Sequence, residues 1–225
     1  MKKKVKIAAT SDWHGIFPPM SFFGEGGDIL CIVGDLCPVT NHSIEFQYNW
    51  INNTFLPKLI EIQNLFPKIV FIAGNHDFVF EQYGPGTIFY KSLPKNIIYL
   101  ENNSVIVDGI KIWGSPYSNK FYNWAFMRNE NGLKEIYDSI PSDVDIVLSH
   151  GPAIGVCDSV ENDSEKLGSA ALRTTILKIQ PKYLFTGHIH SACRNIKYLN
   201  NTKCTCVSYV DEYYEPAYEL FQTIM

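Results

Sequence analysis

The stretch IVFIAGNHD, residues 69–77, is an apolar, β-prone run that ends at once in Gly74, Asn75, His76 and Asp77. So short and uninterrupted a run reads as a strand buried on both faces, and the polar residues after it as the loop at its carboxyl end. The same pattern recurs at residues 5–9 before SDWHG, 29–33 before GDLC, 146–148 before SHGP and 183–185 before TGHIH. Open α/β sheets bind ligands beyond the carboxyl ends of their strands, which is where all five polar clusters fall.

Outward from these strands, residues 43–63 carry Tyr48, Ile51, Phe55, Leu59 and Ile62 at the spacing of one helix face, with Pro57 expected to kink or divide the helix. Further helices are predicted at 132–139 and 168–179, and a hairpin at 105–113 around Asp108-Gly109. Short runs at 195–199 and 204–210 suggest additional antiparallel strands, giving an α/β or mixed α+β class.

With 225 residues, 46% of them hydrophobic, the chain can bury a large core and is expected to form one domain, residues 1–225. The start MKKKVKIAATSD resembles a signal peptide, but Lys6 and Asp12 interrupt the apolar stretch, so a cytoplasmic protein is expected. No apolar run approaches the ~18 residues of a membrane span, so no membrane partner is expected. A net charge of −4 with no Lys/Arg run beyond Lys2 to Lys4 argues against a broad nucleic-acid footprint. It leaves room for a small phosphorylated substrate, because bound metal ions set the local charge of a site. The six cysteines are scattered, read as reduced and mostly buried, and the pair Cys204 and Cys206 lacks a zinc-site partner motif.

Five of the six histidines, His14, His76, His150, His188 and His190, lie in the polar clusters; His42 stands apart. Any one alone reads more simply as a surface or satisfied core histidine, but five gathered after four of the five strands point to a shared site. Asp12 and His14, two residues apart, can face one way and share a cation, and His188 and His190 repeat that spacing, with Trp13 and Ile189 turned to the core. Asp35 can bridge two ions through its two oxygens while Gly34 allows close backbone approach; its other reading is a turn aspartate.

D-x-H, GD, GNHD, a lone H-G and GHxH, in this order, resemble the motifs of the calcineurin-like metallophosphoesterases. WGSPYSNKFYNWAF and SHGP further resemble its metallophosphoesterase-domain branch, which is similar to class III cyclic-nucleotide phosphodiesterases. The resemblance implies a four-layer αββα sandwich of two mixed sheets flanked by helices. It implies one metal on Asp12, His14, Asp35 and His190, a second on Asp35, Asn75, His150 and His188, and His76 facing the substrate. Asp77 would orient His76 or serve as a turn or capping aspartate. The implied reaction is hydrolysis of phosphate esters, foremost diesters of small molecules such as cyclic nucleotides, by a metal-bridging hydroxide. Monoesterase, nuclease and non-catalytic scaffold are the alternatives. Two divalent ions are implied, manganese first, with Fe, Zn, Ni or Co able to accept the same donors. Trp13, Leu36-Cys37 in place of an arginine-bearing loop, and GNHD rather than GNHE depart from the protein-phosphatase pattern. Phe121, Tyr122, Trp124 and Phe126 either stack a nucleobase or pack their loop on the core, and residues 153–167 read as a solvated connection or the flank of an entrance. The sequence leaves the oligomeric state open.

Overall fold

The computed structural model describes residues 4–84, 93–160, 166–193 and 195–225. The first half of the chain runs β1 (Lys6–Thr10), β2 (Ile29–Val33), α1 (Ile44–Trp50), α2 (Leu56–Ile62), β3 (Lys68–Ile72), α3 (Phe78–Tyr83) and β4 (Ile97–Tyr99). Next come β5 (Asn103–Val107), β6 (Ile110–Ser115), β7 (Ser118–Asn119), β8 (Met127–Arg128), α4 (Glu130–Tyr137) and β9 (Ile146–Ser149). The chain finishes with α5 (Ala170–Ile179), β10 (Tyr183–Thr186), β11 (Lys197–Leu199), β12 (Thr202–Cys206) and β13 (Phe221–Ile224).

Two large mixed sheets result, in strand order β13-β1-β2-β3-β4 and β11-β12-β10-β9-β6-β5. β1 to β4 are parallel, with β13 antiparallel on β1. In the second sheet β12, β10, β9 and β6 are parallel, and β11 and β5 pair antiparallel at its edges. Side-chain alternation along each strand explains the layering. Ile7, Ala9, Ile29, Cys31, Val33, Val70 and Ile72 meet Ile112, Ile146, Leu148 and Phe185 between the sheets. The alternate residues turn outward to helices: Phe71 packs on Phe55 with ring centroids 5.7 Å apart, and Trp113 on Tyr137 of α4 at 6.3 Å. The expected four-layer arrangement of two mixed sheets flanked by helices is present.

All five strands expected from the apolar runs form. Asp108 and Gly109 both take positive φ, 49° and 81°, as the tight turn between β5 and β6 requires. The helix over 43–63 is corrected in detail. Pro57 sits in the first turn of α2, where its missing N–H costs least, and the turn at Ile51–Phe55 is a π-helical one rather than a break. Ile51, Phe55, Leu59 and Ile62 are buried as expected, but Tyr48 is exposed and Gln47 is buried. α3, β4, β13 and the β7–β8 pair were not expected from the sequence. All six cysteines are buried.

Phe71 is fully buried and its ring also meets Phe80 at 6.0 Å and Tyr99 at 5.2 Å. Phe71→Ala is expected to cost about 3–5 kcal/mol of unfolding free energy, read from urea denaturation. A loss under ~1 kcal/mol would mean that the helical layer is not pinned to β3 in this way.

Candidate metal centre

The loops after β1, β2, β3, β9 and β10 converge at one edge of the sandwich and are tied to one another through backbone. Asp12 N–H donates to Gly34 O and His14 N–H to Asp35 O, both at 2.9 Å, and Gly187 N–H donates to His150 O at 3.1 Å. Asp12, His14, Asp35 and His188 sit at φ of 55°, 45°, 53° and 69°, the left-handed region that side chains bearing Cβ rarely adopt. Strain of this kind at several residues of one edge persists only when the surroundings over-determine it. Gly34, at φ 89°, is one such surrounding: a Cβ there would lie 2.6 Å from both Ala73 O and His150 Nδ1.

Three groups of side chains have possible donor atoms mutually within 4.8 Å: Asp12, His14 and His190; Asp35, His150 and His188; and His14, Asp35 and His76. The first two are the expected ligand sets. Asp35 joins them: its Oδ2 lies 3.3 Å from His150 Nε2 and 3.7 Å from His14 Nε2, while its Oδ1 accepts the His76 N–H at 2.9 Å. Asn75 completes the second set, with Oδ1 2.7 Å from His188 Nδ1 and 3.0 Å from His150 Nε2. Every ligand expected from the sequence is therefore at this edge. Trp13 and Ile189, the residues between paired ligands, are buried as expected.

The donor set fits divalent ions. His14 Nε2 and His190 Nε2 face each other at 3.2 Å, and His14 Nδ1 is buried without a hydrogen-bond partner among the described residues. His150 Nδ1 lies 2.9 Å from Val33 O and His190 Nδ1 2.8 Å from Asp211 O. With Nδ1–H donating to these carbonyls, each Nε2 is turned inward and, once its proton is displaced, offers the lone pair a metal needs. Asp211 lies far along the chain in a loop with no strand pattern, so sequence inspection had no signal for it.

Asp77 departs from one of its two expected roles. Its carboxylate accepts N–H bonds from Leu36, Cys37 and Gly74, at 2.8 to 3.1 Å, and clamps the loop after β2 to the loop after β3. Burial and the nearby Asp35 charge push its pKa up to about 6, and the three amides oppose them. The turn role fits this geometry; the His76 ring is met by Trp124, His14 and His42 rather than by Asp77. Gln47, which sequence reading missed, donates to His76 O at 2.7 Å and accepts Val79 N–H at 3.0 Å.

A cavity of about 490 Å³ opens onto Asp35, Asn75, His76, His188 and His190. His42, Trp124 and Phe121 line one side, and Glu212 and Tyr214 are also in its wall. The aromatic segment divides: Phe126 is buried in the core, Trp124 and Phe121 reach the cavity, and Tyr122 is exposed. Val160 of the 153–167 connection also lines it, while residues 161–165 lie outside the described residues.

Burial opposes charge on His150 and His190, yet Asp35 and Asp12 outweigh it and lift both to about 9. Burial lowers His14 to about 3 and His188 to about 4, while Asp12 and Asp35, despite burial, are held below the usual carboxylate range by the neighbouring imidazoles. Without metal, His150 and His190 are thus protonated at neutral pH. Their ion pairs stabilise the fold fully below 6.5 and lose that contribution as pH rises through about 9. Metal binding runs the other way, because each ion displaces one of these protons. Loading both ions near neutral pH should release about two protons, with affinity rising toward pH 9, as read by calorimetry in buffers of different ionisation enthalpy. Release near zero would contradict the assigned protonation.

Residues 5–192 match the model of the calcineurin-like phosphoesterase family. The chain is 30% identical over 228 residues to metallophosphoesterase domain-containing protein 1 of Homo sapiens, covering 89% of this chain and 66% of that protein. It is 31% identical over 194 residues to UPF0046 protein T07D4.2 of Caenorhabditis elegans, covering 73% of this chain and 46% of the relative. The chain thus spans less than two thirds of the length of these curated relatives. Among solved structures it resembles TT1561 of Thermus thermophilus, at TM-score 0.61 and 14% identity over 91% of this chain and 89% of that one. It also resembles phosphopantetheinyl hydrolase of Mycobacterium tuberculosis, at TM-score 0.60 and 13% identity over 97% and 95%. At these identities the two structures speak for the fold alone. On the family match together with the order and meeting of its motifs, this chain belongs to the calcineurin-like phosphoesterases.

Proposed function

We propose that the chain is a dinuclear metal-dependent phosphodiesterase of small molecules, cyclic nucleotides among them. The observation that carries this reading is the pair of ligand sets joined at Asp35. Asp12, His14, Asp35 and His190 would hold one ion and Asp35, Asn75, His150 and His188 the other, manganese being the first candidate for both. When bound, the ions supply an activated water and the positive charge that an in-line phosphoryl displacement needs.

The protein's own contributions follow from the geometry. Only two carboxylates, Asp12 and Asp35, stand among the proposed ligands, so a site carrying two dications stays net positive and attracts phosphate although the chain is acidic. His76 donates a proton to the departing oxygen. Asp77 holds the two loops in register rather than touching substrate. Trp124 and Phe121 offer flat apolar surface beside the ions for the organic part of the substrate.

The cavity size suits a small molecule, and no Lys or Arg is among its described lining residues, which favours a small ester over nucleic acid. Monoesters remain the second reading, since the same ligand set serves them. A complete ligand set disfavours a non-catalytic scaffold. A reducing, cytoplasmic setting is part of this reading, the six cysteines being scattered along the chain and buried. Among the described residues no helix is long and apolar enough to cross a membrane.

A panel of phosphodiesters and monoesters, assayed with manganese-loaded protein, tests the class. Asp35→Asn should abolish turnover and release metal. His76→Ala should lower kcat by about 10²- to 10⁴-fold while retaining both ions by elemental analysis. Activity surviving in Asp35→Asn, or loss of both metals in His76→Ala, would overturn these roles.

A further inference from the structure

We infer that His42 is a positioning residue for His76, holding its ring so that Nε2 is the nitrogen presented to the substrate. The kinetic half of this inference rests on the phosphoesterase reading above; the structural half does not.

His42 lies on the short connection between β2 and α1, outside every motif, and the fold brings its Nε2 to 3.4 Å from His76 Nδ1. Its backbone is set before α1 begins. Asn41 Oδ1 accepts the Ser43 N–H at 2.9 Å, and Ser43 Oγ in turn caps α1 by accepting the Phe46 N–H at 3.4 Å. The His42 ring is enclosed by aromatic neighbours: Trp124 meets it edge-on at 5.1 Å and Phe78 at 5.4 Å. Trp124 also lies against the His76 ring, with centroids 4.4 Å apart and planes 39° from parallel.

His76 is already anchored at both backbone groups, its N–H on Asp35 Oδ1 and its carbonyl on Gln47 Nε2. Rotation of its side chain is the freedom that remains. Asp77 is spent on the amides of Leu36, Cys37 and Gly74; the rings that meet His76 are those of Trp124, His14 and His42, and of these His42 presents a ring nitrogen to Nδ1. With Nδ1 turned to His42, Nε2 is the nitrogen left for the substrate.

The proton accounting is simple. His76 enters the step protonated on both nitrogens. As the P–O bond breaks, its electron pair goes to the leaving oxygen, which takes the Nε2 proton. The neutral ring keeps its other proton on Nδ1, hydrogen-bonded to the lone pair of His42 Nε2, and a solvent proton on Nε2 restores the start. Without His42 the ring loses the partner that fixes its rotation, and part of the population turns an edge other than Nε2 toward the leaving oxygen.

Two readouts test this. The first is ¹⁵N NMR of the imidazoles in metal-free protein at a pH where His76 is neutral. The wild type should show His76 as one Nδ1–H tautomer, His42→Ala should show a mixture, and His42→Gln, whose carbonyl can accept the same bond, should restore one form. The second uses manganese-loaded protein on an alkyl and an activated aryl phosphodiester. In His42→Ala, kcat on the alkyl ester should fall about tenfold or more, with KM, metal content and aryl turnover nearly unchanged, because only the poor leaving group needs the proton. Equal losses on both esters, or His76 signals that do not respond to His42→Ala, would overturn the inference. A wild type inactive on every ester would refute the phosphoesterase reading, while the tautomer measurement would still decide whether His42 orients His76.

Discussion

The buried carboxylate of Asp35 is the constraint around which this edge of the molecule is organised. A charged group taken out of water is tolerated only when donors or opposite charge surround it closely. Asp35 meets that demand with the His76 amide on one oxygen and the rings of His14 and His150 facing the other. Those partners come from the loops after β1, β3 and β9, so satisfying one side chain requires strands of both sheets to end at the same place. The apolar layer between the sheets sets that alignment, since the residues that fill it are the alternates of those leading into the loops.

Bringing five loops this close leaves little room for ordinary backbone. Several ligand residues accept left-handed conformations, and Gly34 stands where any Cβ would strike the chain after β3 or the His150 ring. Cross-loop hydrogen bonds and the Asp77 clamp hold the arrangement against that strain. The result is a preorganised donor set, in which the positions of metal-binding atoms do not depend on flexible side chains finding one another.

Around the donors, the cavity wall has two origins. His42 and Trp124 come from connections inside the family match, whereas Glu212 and Tyr214 come from a segment beyond residue 192, where that match ends. Asp211 nevertheless orients His190, and Tyr214 meets the His14 ring edge-on at 4.8 Å. The chemistry-bearing loops are thus shared with the family, while part of the wall that would select a substrate belongs to the terminal segment.

The linear sequence determined the five strands that lead into the site, their polar ends and all the candidate ligands, because each of those features is local: a run of apolar residues, a glycine, a histidine two positions from an aspartate or a histidine. The Asp108-Gly109 hairpin was legible for the same reason. What only the tertiary structure decided is which distant groups meet. Gln47 reads as a polar residue on a helix and becomes the anchor of the His76 loop; His42 stands apart from the polar clusters in the sequence and ends against His76. Asp77 had two readings beside the site, and the geometry of three loop amides favours the turn role. Such pairings carry no local signature, since a hydrogen bond between residues tens of positions apart depends on where the packed layers place them and not on the residues that flank either one.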